Sequence, residues 1–116
     1  MSEAFDGAVG PLARVPGVRG VLLVEPEAGV PIVEELAEGV SGRALAALTA
    51  SFFQRTAQGS RDAGFGDAHV AELQAAEGQV IAVEAGEVVV VVLADRSAQL
   101  GRVRLEARQA AERLMT

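Results

Sequence analysis

The side chains of this sequence that could do acid–base or nucleophilic chemistry are few: one histidine, His69, sixteen Asp and Glu residues, and no cysteine. Imidazole titrates nearest neutrality, so His69 is the one candidate general base by pKa. It lacks a spaced companion. The chain has no G-x-S-x-G elbow, no H-E-x-x-H pair and no EF-type calcium loop. Lysine is absent, which rules out a GxxxxGK[ST] phosphate loop. Glu25 and Glu27 flank a proline in a turn, and Glu34-Glu35 adjoin a strand end, positions where carboxylates are ordinarily solvated. Gly64-Phe65-Gly66 could lie against a phosphate, but ending a helix explains it more cheaply. His69 therefore reads as a surface or strand-end residue. No catalytic, cofactor-binding or metal-ligating residue is assigned, and the expectation is a protein that is not an enzyme.

Composition narrows the partners. The 116 residues suit one domain spanning 1–116, and half of them are apolar, enough for a real core. The net charge is −6, and the ten cationic residues, all arginine, are scattered. A nucleic-acid binder needs clustered cations to displace counterions, so nucleic acid is excluded, and an anionic membrane surface is disfavoured on the same ground. The longest apolar run, Val88 to Ala94, is far short of the ~20 residues of a spanning helix. No basic segment and apolar run follow Met1, so no secretory signal is read and a cytoplasmic location is expected.

The elements follow from periodicity and punctuation. Residues 3–14 read as a weak helix interrupted by Gly7, Gly10 and Pro11, with Ser2 or Asp6 as caps and Val15-Pro16-Gly17 as its stop. Val18 to Glu25 and Val30 to Leu36 read as strands joined at Pro26-Glu27-Ala28-Gly29. Pro31 cannot donate to a ladder, which puts the second strand at an edge. Ser41 caps a long helix reaching about Asp62. His69 to Ala75, Gln79 to Glu84 and Glu87 to Ala94 then form a meander, and Asp95 or Ser97 caps a last helix whose Leu100, Val103, Ala107, Ala111 and Leu114 share a face. The fold class is α/β of the α+β type: one antiparallel five-stranded sheet in the order α-β-β-α-β-β-β-α. The unbroken Val88 to Leu93 run does not alternate with polar residues, so helices should cover both faces of the sheet, the long one alone on its side.

That long helix has two apolar stripes, and between Ser41 and Gln58 its only charges are Arg43 and Arg55. Leu45, Leu48 and Phe52 are expected on the sheet. Ala46, Ala50, Phe53 and Ala57 are expected on an exposed flank that meets a second copy through a two-fold contact. The strand after it should be an edge available for pairing, contributing Ala71 and Leu73 to the same interface.

These residues resemble a known family. Val15 to Val24 (VPGVRGVLLV) is similar to the opening of bacterial roadblock/dynein light-chain domains, and Leu100 to Arg108 (LGRVRLEAR) to their last helix. The Val88 to Leu93 strand with its Ala94-Asp95 exit fits between, so the likeness runs from about Pro11 to Leu114. The Gly10-Pro11 step departs from the family's smooth first helix. The resemblance implies a homodimer in which long helices pack antiparallel and two sheets join edge to edge. It also implies an MglB-like regulator that binds a Ras-like small GTPase of the gliding-motility (MglA) type and alters its hydrolysis or exchange through the GTPase's own switch elements. On that reading the outward side of the long helix, Arg43, Ala47, Ser51, Gln54 and Gln58, meets the GTPase. Neither Arg43 nor Arg55 is assigned as an arginine finger. The alternative is a dimeric scaffold docking signalling or motor complexes without regulating a GTPase.

Overall fold

The computed structural model describes residues 2–116, with side chains from residue 3 onward. Its elements are α1 (Ser2–Ala13), β1 (Val18–Glu25), β2 (Val30–Leu36), α2 (Gly42–Asp62), β3 (Val70–Ala75), β4 (Gly78–Ala85), β5 (Val88–Asp95) and α3 (Leu100–Met115). The strands make one antiparallel sheet ordered β2-β1-β5-β4-β3, which leaves β2 and β3 at the two edges.

The valine run of β5 explains the layering. Successive strand residues point to opposite faces. Val89 and Val91 join Leu22, Val24, Val80 and Ala82 under α2. Val90 and Val92 join Val21, Leu23, Ile81 and Val83 under α1 and α3. Both faces are covered, as the missing alternation predicts, and α2 covers its face alone.

The first helix tolerates Pro11 within it. Proline removes the donor that would serve the carbonyl of Gly7. Burial outweighs that loss: Phe5, Ala8, Val9 and Leu12 form a stripe at helical spacing, each at most 5% exposed. Arg113 of α3 donates to the Ala8 carbonyl at 2.9 Å and ties the two helices together. Asp6 lies inside α1 and is not its cap, while the Ser2 side chain falls outside the described residues. The expected cap of α3 is also displaced. Gln99 holds the N-cap position without a side-chain bond, and Asp95 instead accepts from the Ser97 amide at 2.9 Å and hydroxyl at 2.5 Å in the preceding turn.

Gly17 joins these layers. Its φ of +92° belongs to the left-handed region, and a Cβ there would sit 2.7–2.8 Å from Ala98. The α1–β1 turn thus rests directly on the backbone that leads into α3.

Candidate partner-binding surface

Helix α2 begins as its sequence dictates: the Ser41 hydroxyl accepts from the Ala44 amide at 3.2 Å. Its orientation on the sheet differs from expectation. Ala46, Ala50 and Phe53 are buried in this chain's own core, with Ala57 half-buried beside them, and Ala71 of β3 is 5% exposed beneath the same helix. Ala46, Ala50 and Phe53 are therefore taken up inside the chain, whereas Ala71, its side chain buried, still lies on the free edge strand β3. Leu48 is 47% exposed, whereas Phe52 is half-buried and packs against the same core. Leu45 packs inward as expected. The two stripes are real, but the helix is rotated so that the alanine-rich one faces inward and Leu48 outward, while Leu45 and Phe52 still reach the core. Small residues let α2 lie close to the strand layer: a Cβ on Gly29, in the β1–β2 turn, would come within 3.4 Å of Ala50. Thr49 also points inward, 1% exposed, with its hydroxyl unpaired.

The rotation leaves a mostly apolar groove of about 350 Å³ on the β3 side of α2, its floor including Leu45, Leu48, Leu73, Val80 and Leu93, with Arg19, Glu77 and Asp95 also among its lining residues. The groove runs beside the free edge of β3. That edge and the opposite one are protected very differently. On β2, Pro31 lacks a donor, the pairing with β1 is irregular at Leu23/Val24, and Glu34 and Glu35 are exposed, all features that discourage strand addition. On β3 the one charge is Glu72, and Arg104 of α3 neutralises it with a two-pronged contact at 2.7 and 2.8 Å. The hydrogen bond from Arg104 holds the Glu72 carboxyl below its ordinary value, burial opposes it, and the charges of Arg104 and Arg108 add to the lowering. The same pairing raises the Arg104 pKa. The unguarded edge and the greasy flank of α2 lie together.

All five residues expected to meet a partner, Arg43, Ala47, Ser51, Gln54 and Gln58, are exposed on α2. Two of them are already held. Gln54 donates to the Pro26 carbonyl at 2.5 Å, and Gln58 donates to Asp62 at 2.9 Å while accepting from Arg61 at 3.0 Å. His69 is exposed and lies 3.0 Å from Glu84. Among the described residues no three Asp, Glu or His side chains gather as a metal-ligand set, and no helix is long and apolar enough to cross a membrane.

A three-layer α+β domain with an open strand edge and an apolar helix flank has the build of a small regulator or adaptor. The family model described as Roadblock/LC7 domain matches residues 5–94, and the chain belongs to that family. Two uncharacterized proteins of Methanocaldococcus jannaschii are similar: MJ0714 is 27% identical over 114 residues, 98% of this chain and 96% of the relative. MJ1340 is 26% identical over 103 residues, 89% of this chain and 90% of the relative. Among solved structures, MglB of Myxococcus xanthus has a TM-score of 0.84 at 23% identity, covering 97% of this chain and 86% of that one. The gliding protein MglB of Thermus thermophilus has the same TM-score at 24% identity, covering 97% and 87%. MglB in a tetrameric arrangement also scores 0.84, at 26% identity over 97% and 86%. These likenesses establish an MglB-like roadblock fold.

Proposed function

We propose that this protein is a homodimeric, non-enzymatic regulator that binds a Ras-like small GTPase of the MglA type and changes its GTP hydrolysis or nucleotide exchange. The observation that carries the reading is the pairing of the apolar α2 flank with the unguarded β3 edge. Joining two copies there covers Leu48, Phe52 and Leu73 and brings the two α2 helices together. The outward polar faces of both helices, with Arg43, Ala47, Ser51, Gln54 and Gln58 on each, then form one continuous platform. A similar MglB structure has a tetrameric arrangement, which supports assembly of copies of this fold.

The platform acts by population shift. It must bind one switch conformation of the GTPase more tightly than the other, because equal affinity for both would change nothing. Ala47→Arg places a long cationic side chain in the middle of the platform without touching the core. The experiment mixes the protein with the Ras-like GTPase encoded nearest its gene and follows co-elution, GTP hydrolysis and nucleotide release. Complex formation with altered turnover, lost in Ala47→Arg, is the expected result. A complex that leaves both rates unchanged would make the protein a scaffold, and no complex in either nucleotide state would defeat the reading.

A further inference from the structure

Phe65 has no structural task within its own chain. It is 86% exposed, more than any other large apolar residue described. Yet its position is closely specified. The Phe65 amide donates to the Ser60 carbonyl at 2.9 Å and the Gly64 amide to the Arg61 carbonyl at 3.0 Å, the paired bonds of a Schellman helix end. Gly64 and Gly66, on either side, both hold positive φ, +83° and +85°. The Ser60 hydroxyl donates to the Gly66 carbonyl at 2.7 Å, and Arg61 lies 3.7 Å from Asp67. In this motif the residue at the Phe65 position ordinarily packs back on the helix's last turn. Here that turn offers only Gly59 and Ser60, so the ring is held out with nothing to cover it.

The surroundings state what kind of surface it meets. Asp62 and Asp67 flank the loop, and Glu27 and Glu84 line the adjoining cleft with Asp67. The Arg61 guanidinium, in the last turn of α2, is engaged by Asp67 and Gln58. An aromatic ring on an acidic collar suits an apolar pocket with a basic rim and is repelled by an anionic bilayer. The loop also extends α2 directly beyond Gln58, at the end of the platform proposed above.

We propose that Phe65 is an anchor that inserts into an apolar, basic-rimmed pocket on the small GTPase bound by α2, an inference that rests on the function proposed above. The test measures affinity and association rate of the wild-type protein, Phe65→Ala and Phe65→Leu for the same GTPase, with thermal unfolding and sedimentation of each variant. Phe65→Ala should weaken binding at least tenfold, Phe65→Leu should recover part of the loss, and neither should alter folding or self-association. The wild-type association rate should fall as salt is raised. Tight wild-type binding that Phe65→Ala leaves unchanged would overturn the anchor alone, and an association rate indifferent to salt would overturn the basic rim. A wild-type protein that binds no GTPase would overturn this inference together with the reading beneath it.

Discussion

Phe52 and Phe53 are neighbours of the same type, and one step of 100° around α2 sets them at different depths, Phe53 buried and Phe52 half-buried against the same core. The sequence contains both apolar stripes but not the rotational phase that chooses between them. Leu48 and Phe52 carry the larger side chains on one stripe, and size alone would send them inward. What decides is fit. The strand layer beneath is already filled by Leu22, Val24, Val89 and Val91, so the closely applied helix brings Ala46 to it between Leu45 and Phe53, and Phe52 reaches the same core only in part. Thr49 also faces inward with an unpaired hydroxyl, a buried polar group that apolar periodicity does not mark. The consequence is a sharp contrast between neighbours. Phe53→Ala should cost about 3–5 kcal/mol of unfolding free energy, and Phe53→Asp should prevent folding. Phe52→Ala, measured by urea unfolding of single chains at low concentration, should cost much less, because half-burial leaves less apolar area to lose. Equal losses for Phe52→Ala and Phe53→Ala would mean that the rotation of α2 is misassigned.

The elements themselves were largely legible. Proline at residue 31 and the tight turn signals at Glu77-Gly78 and Ala85-Gly86 fix an edge strand and a meander, and the sheet order follows. The misplaced caps have local causes: α1 persists through Pro11 because its buried stripe outweighs one hydrogen bond, and Asp95 satisfies a turn before α3 starts. Long-range pairs leave no such mark. Nothing in the sequence spacing announces that Glu72 on β3 meets Arg104, thirty-two residues away on α3. This clasp fastens the edge strand to the helix layer, and its pH dependence has a definite sign. The folded-state pKa of Glu72 lies below its ordinary value of 4.5, chiefly through the Arg104 hydrogen bond, so the carboxylate stabilises the fold above that value. The contribution is lost as pH falls through the depressed folded-state pKa. Glu72→Gln should therefore be less stable than wild type near neutrality, and the two should converge in acid. A stability gap that widens on acidification would refute this account of the clasp.

For the whole molecule, the decisive feature is an asymmetry between edges. The β2 side is defended by proline, irregular pairing and exposed carboxylates, whereas the β3 side has its charge cancelled and an apolar groove alongside. A defended edge and an open one on the same sheet point to association through the open one. Individual sequence segments indicate strands and turns, but this contrast needs the sheet order and the Arg104 contact together. Two forces then oppose each other in a pair of chains. Covering Leu48, Phe52 and Leu73 favours association, and each chain's net charge of −6 disfavours it. Salt weakens the repulsion and leaves the apolar term in place. Self-association followed by sedimentation should therefore tighten as salt rises through the physiological range. If the two copies meet through the flank proposed above, residue 48 lies in the seam, and Leu48→Arg brings a cation from each copy to the same contact. That variant should sediment as single chains at concentrations where wild type is paired, with its fold intact. If salt instead loosened the wild-type pair, ion pairs and not the greasy flank would hold it, and if Leu48→Arg remained fully paired, the seam would lie elsewhere.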